Sequence, residues 1–225
     1  QDTENSWSIL RFMITSRKTA AIIRTLGKIY TAKADMDLGN PKDTLIGVLL
    51  SARTTDKQVL KAFPAFKKRY PTFQSIADST PQEIGTYIST IGLYLSKARA
   101  IHGLAKIILA KHGGRVPSTF ADLVELPGVG RKTANCVLSH VFHKDTVCVD
   151  THVLRIANRL GWSRGKTPER VEQDLMALVP QSSWQEINRA FVQFGRDVCK
   201  APTPQCWRCP VRAQCPYTPK TAKPS

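Results

Sequence analysis

The sequence predicts an all-α fold, and three observations carry that prediction. Apolar residues recur at helical spacing, as in Ile22, Ile23, Leu26 and Ile29 and again in Ile101, Leu104, Ile107 and Ile108. No stretch shows a convincing strand pattern. Glycine, proline and short polar residues punctuate the apolar runs where helices should start and stop. The 225 residues are 42% apolar and 22% charged, ordinary for a globular protein and enough for one large domain or two small ones.

In chain order, residues 1–9 form at most a weakly structured extension, and Ile9 to Ala32 reads as helical. Met36 to Asp43 is a polar turn region, and Asp43 is expected to cap a helix over Thr44 to Ala52. That helix is apolar all round, the mark of a core helix. Arg53-Thr-Thr-Asp56 interrupts the pattern, and Asp56 is expected to cap a helix from about Lys57 to Tyr70. Pro71-Thr-Phe73 is a short connection, and Ser79 to Ser89 is the next helix. Thr90-Ile-Gly-Leu93 turns into a helix through Lys111, stopped by Gly113 and Gly114. Ser118 or Thr119 opens the helix that ends at Leu126. After the turn, Lys132 to Phe142 is helical, with Ala134, Val137, Leu138, Val141 and Phe142 on its apolar face. Thr151 to Leu160, Thr167 to Val179 (with Pro168 near its start) and Trp184 to Val198 follow. From Pro202 the tail is rich in proline and cysteine.

Lysine and arginine number 33 against 17 acidic residues, a formal charge of +16 that points to a polyanionic partner. A basic membrane-surface protein is the competing reading, but no basic amphipathic helix or polybasic run supports it. No apolar run approaches the roughly 20 residues of a membrane helix. The N-terminus is polar, lacks a signal-peptide core and does not begin with Met, so a trimmed intracellular chain is expected. Six cysteines in such a setting are not expected to form disulfides.

The chain is organised around Leu126-Pro-Gly-Val-Gly-Arg-Lys132, a glycine turn between two helical patterns. Gly128 and Gly130 can both take positive φ, which side chains with a Cβ resist. The turn exposes backbone N–H groups where a helix begins, a place suited to a phosphate oxygen. A bare Gly-x-Gly between helices is most often only a turn. The longer string through Asn135, followed by Val149-Asp-Thr-His152, is more specific. Near the C-terminus, Cys199, Cys206, Cys209 and Cys215 are spaced Cys-x6-Cys-x2-Cys-x5-Cys. Four soft thiolates so close suit tetrahedral zinc or an iron–sulfur cube, with zinc slightly ahead on composition. Cys136 and Cys148 lie outside the pattern in apolar surroundings and read as core residues.

The hairpin string, Val-Asp-Thr-His and the cysteine spacing together resemble the helix-hairpin-helix DNA glycosylases with a 4Fe–4S cluster, the endonuclease III family, from about Thr19 to Tyr217. The resemblance implies two helical lobes, residues 35–144 forming a six-helix lobe and residues 1–34 plus 145–225 a second lobe with the cluster. It implies a 4Fe–4S cluster on Cys199, Cys206, Cys209 and Cys215. It makes Lys132 the nucleophile and Asp150 its assistant, 18 residues further on. Arg53 and Leu93 match the wedges that fill the gap left by an extruded base, while Gly128, Gly130, Arg131 and His152 match the DNA-binding set. A capping or core role for His152 is nearly as well supported. Where the family commonly has Gln, this chain has Arg53, and Leu95 replaces a residue that is often polar, so lesion preference is open. The loop between the first two cluster cysteines, basic in the family, carries only Lys200 here, with Arg208 and Arg212 as compensating candidates.

Work on a damaged base requires taking it out of the duplex. A neutral lysine amine can attack the sugar C1′, expel the base and leave a Schiff base. Such a lysine should have a lowered pKa, favoured by the helix start and Arg131. The resemblance thus implies a bifunctional glycosylase and AP lyase for oxidised pyrimidines, acting as a monomer on double-stranded DNA with a damaged base or abasic site, and on no membrane. The expected setting is the bacterial nucleoid, with an organelle or nucleus left open. A monofunctional mismatch glycosylase and a non-catalytic iron–sulfur DNA-binding protein are the alternatives.

Overall fold

The computed structural model describes residues 17–32 and 34–223, and all regular structure among them is helical. The extension over residues 1–9, and the helix expected to begin at Ile9 as far as residue 16, lie outside the described residues. The chain divides into two compact units: residues 34–144 form one, and the segments before and after it together form the other. No helix among the described residues is long and apolar enough to cross a membrane.

In the 34–144 unit, α2 (Pro41–Ser51; α1 is the helix over 17–29) starts earlier than the sequence suggested. Its cap is Asn40, whose side chain accepts from the Asp43 amide, and Pro41 occupies the first turn, where a missing N–H costs nothing. Asp43 is not the cap; it is wholly buried and ion-paired to Lys42 and Lys67 at 2.9 and 2.6 Å. Likewise Thr55, not Asp56, caps α3 (Asp56–Arg69), through a reciprocal box with Gln58. The expected connection after Pro71 contains a short helix, α4 (Phe73–Ala77), which Thr72 caps in the same way with Ser75. Thr80 caps α5 (Pro81–Tyr87). α6 (Tyr94–His112) ends at Gly113 in the left-handed conformation, as its Gly-Gly stop predicted. Thr119 caps α7 (Phe120–Val124), and α8 (Arg131–Phe142) packs on α2 and α7.

The other unit is built on α9 (Thr151–Arg159), α10 (Pro168–Leu178) and α11 (Trp184–Asp197), with α1. Leu26, Val153, Ile156, Leu175, Phe191 and Phe194 lie at the centre of its core. The proline-rich tail adds one 3₁₀ turn, Cys206–Arg208.

Candidate functional site

The hairpin between α7 and α8 is seated on its own unit through small residues. Gly128 has a φ of +78°, and a Cβ there would stand 2.8 Å from Ala100 Cβ and 3.1 Å from Leu49 Cδ1. Pro127 covers Gly103 of α6. Gly130 departs from the expected positive φ: it is extended, at φ −91°, and serves as the N-cap of α8 without a side chain. The cap residue therefore contributes no side chain to the start of α8. Residues 133–139 of that helix are all buried, whereas Arg131 and Lys132 are exposed. The Arg131 guanidinium lies over the Phe120 ring, 5.1 Å from its centroid. Lys132 is thus an exposed amine on the first turn of an anchored helix.

Arg53 and Leu93 are exposed and share an uncommon backbone. Their φ values are +57° and +61°, left-handed positions that residues with a Cβ adopt at a cost of about 1–2 kcal/mol. Leu93 is 58% exposed, although a leucine loses free energy in water. Gly92 lies against the Arg53 carbonyl, its virtual Cβ 3.8 Å away, so the two turns are neighbours.

In the second unit, Asp150 is the N-cap of α9, its Oδ1 accepting from the Val153 amide at 2.8 Å. The run before it, Val147 to Val149, is buried. Asn188 of α11 holds that run: its Oδ1 accepts from the Cys148 amide at 2.8 Å, and its Nδ2 donates to the Thr146 carbonyl at 3.1 Å. His152 is half-buried; its Nδ1 lies 3.0 Å from Arg155 Nη2, and its ring packs on Gly195. Arg155 continues to the Cys199 carbonyl at 3.0 Å.

All four tail cysteines line one small cavity, with Arg159, Phe194 and Tyr217 among its walls. Among the described residues, no three Cys, His, Asp or Glu side chains converge closely enough to hold a single metal ion. Four cysteines around one cavity are a soft donor set of the kind that holds an iron–sulfur cluster or a soft metal ion. Burial pushes the Cys209 thiol up to about 11 and raises that of Cys199, which favours the neutral thiol at both. Arg159 donates to Cys199 Sγ at 3.3 Å and to the carbonyls of Cys199, Lys200 and Pro202. Arg208 is drawn to Asp197, donating to its backbone carbonyl at 2.7 Å and pairing with its carboxylate.

Residues 46–181, more than half of the chain, match the HhH-GPD superfamily of base excision DNA repair proteins. The chain is 42% identical over 178 residues to endonuclease III of Thermotoga maritima, covering 79% of this chain and 84% of that protein. It is 39% identical over 212 residues to endonuclease III of Synechocystis sp., covering 93% and 97% respectively. The chain belongs to the endonuclease III family. The fold agrees: a solved structure of a trapped endonuclease III–DNA covalent intermediate matches with a TM-score of 0.84 at 36% identity, covering 89% of this chain and 95% of that one. Both the all-α class and the family resemblance drawn from the sequence hold.

Within this endonuclease III fold, two buried polar residues near the candidate site carry no motif signal of their own in the sequence. Asn188 carries no motif, and only the buried run it bonds reveals it. Lys97 stands in the first turn of α6, after Gly92-Leu-Tyr94. It is 7% exposed, and its Nζ donates to the Leu50 carbonyl at 2.8 Å. The one available signal was its spacing, which places it on the same face as Ile101 and Leu104.

Proposed function

We propose that this chain is a bifunctional DNA glycosylase and AP lyase that removes oxidised pyrimidines from double-stranded DNA, acting as a monomer. The observation that carries the reading is Lys132, an exposed amine at the hairpin of a helix whose next seven residues are buried. One relative in the family has been trapped as a covalent intermediate with DNA.

In this reading the start of α8 and the backbone at Gly128 and Gly130 receive a phosphate, with Arg131 adding positive charge. His152, in the other unit, is a separate phosphate contact. Arg53 and Leu93 fill the space of an extruded nucleotide, which lowers the cost of unstacking. The neutral Lys132 amine attacks C1′. The C1′–N bond breaks, and the base leaves with its electron pair and takes up a proton. The Nζ lone pair then opens the sugar ring: the C1′–O4′ bond breaks, O4′ takes up a proton, and C1′ is left as a protonated imine. That imine acidifies the C2′ proton; its loss and departure of the 3′ phosphate cleave the strand by β-elimination. Asp150 stabilises the cationic sugar or relays the proton. Cys199, Cys206, Cys209 and Cys215 would hold a 4Fe–4S cluster, whose bonds supply a structural tie for a tail with little regular structure.

Borohydride trapping on a duplex with one oxidised thymine, wild type beside Lys132→Ala, tests the reading. A covalent adduct with wild type alone is expected. Base release without an adduct would mean a water-using glycosylase. Neither product would leave a binding protein or a different lesion.

A further inference from the structure

The two wedge turns sit in strained backbone, and something must hold them there. Leu50 lies in the last turn of α2, where carbonyls lack intrahelical donors and carry the negative end of the helix dipole. Arg53 follows three residues later. Lys97 lies in the first turn of α6, and its amide donates to the Leu93 carbonyl at 3.0 Å, its side chain to the Leu50 carbonyl at 2.8 Å. One residue thus bonds the Leu93 turn through its backbone and the end of α2 through its ammonium. The ammonium is buried and desolvated, which lowers its pKa. A buried cation with a carbonyl acceptor in place of water is costly unless its geometry is needed. Left-handed residues such as Arg53 and Leu93 persist where surrounding contacts over-determine them.

We propose that Lys97 is a positioning residue for base extrusion: its ammonium on the Leu50 carbonyl locks the Arg53 and Leu93 turns in register, so that both side chains enter the duplex together. This rests on the glycosylase reading above. Lys97 itself does not touch DNA in this scheme; it acts through the two turns.

The test is a mutant cycle with two readouts. The first is single-turnover base release from an oxidised-thymine duplex. The second is the fluorescence of 2-aminopurine beside the lesion, which rises when stacking is broken. Lys97→Met keeps the aliphatic stem and removes the donor. It should lower base release by at least about tenfold and reduce the fluorescence rise, since a displacement near 1 Å can cost up to about a hundredfold. In an Arg53→Ala/Leu93→Ala background the same change should cost less than about twofold, because the groups it positions are gone. Circular dichroism must show native helix content. If Lys97→Met does not fold, Lys97→Arg, which keeps a donor for the carbonyl, replaces it in the cycle; its smaller loss must also vanish in that background. A loss that is equal in both backgrounds, or an unchanged fluorescence rise, overturns the proposal. If wild type neither releases base nor traps with borohydride, it is the glycosylase reading that fails instead.

Discussion

At Gly128 an added methyl group would meet Ala100 at 2.8 Å, in a backbone with φ of +78°. Both the contact and the left-handed φ oppose it, so Gly128→Ala should destabilise the protein by roughly 2–3 kcal/mol, measured by urea unfolding. Two positions on, Gly130 has φ −91° and nothing within 4 Å of its virtual Cβ. Gly130→Ala should therefore leave stability within about 0.5 kcal/mol. If a phosphate approaches the start of α8, the same methyl should still weaken binding to an abasic duplex. Equal stability and equal affinity for Gly130→Ala would remove the phosphate from that position. Both glycines lie in one recognisable string, but only coordinates separate a glycine needed for its φ from one needed for its bareness.

Helix ends show how far sequence reasoning reaches. The Gly113 stop and the Pro168 start were legible because glycine and proline restrict the backbone whatever surrounds them. Asp43 and Asp56 were misread because several good capping residues stand in a row, and Asn40 and Thr55 win by one to three positions. The burial of Asp43 could not be foreseen, since the Lys67 that pairs with it lies a helix away. Burial alone would raise the Asp43 carboxyl, but hydrogen bonds from Lys67, Lys42 and Asn40 outweigh it and the net shift is downward. A carboxyl lowered in the fold binds fewer protons there than when unfolded. Its contribution is complete above the unfolded value of about 3.9 and is lost as pH falls through the folded one. Acid unfolding of Asp43→Asn should thus be less steep below about pH 4 than that of wild type. Asp150 poses the opposite problem, as a cap that also has a proposed chemical role. Asn caps as well as Asp, so Asp150→Asn should keep stability within about 0.5 kcal/mol while slowing base release, whereas Asp150→Ala should also cost about 1 kcal/mol. A large stability loss in Asp150→Asn would mean that the carboxylate charge is structural.

At the scale of the whole molecule, the excess of positive charge was legible from composition, but its availability was not. A count of +16 suggests many phosphate contacts. Several of the arginines are nevertheless engaged inside the fold. Arg155 and Arg159 hold carbonyls around Cys199, Arg189 donates to the Tyr30 carbonyl at 2.7 Å, and Arg208 pairs with Asp197. These positions offer no loose cation to a phosphate, and nothing in composition distinguishes them from Arg53 or Arg131. Binding to duplex DNA should therefore be salt-dependent with a slope well below what the charge count suggests. Each phosphate neutralised contributes about −0.9 to the slope of log affinity against log salt, so even two contacts give about a tenfold loss between 50 and 200 mM. Because the slope counts phosphates and not bases, damaged and undamaged duplexes should lose affinity in parallel, and their ratio should stay nearly constant. Fluorescence anisotropy titrations on both duplexes, across that range, measure it. A flat response would mean that the excess charge does not face DNA. A slope that differs between the two duplexes would mean that the lesion recruits phosphate contacts of its own.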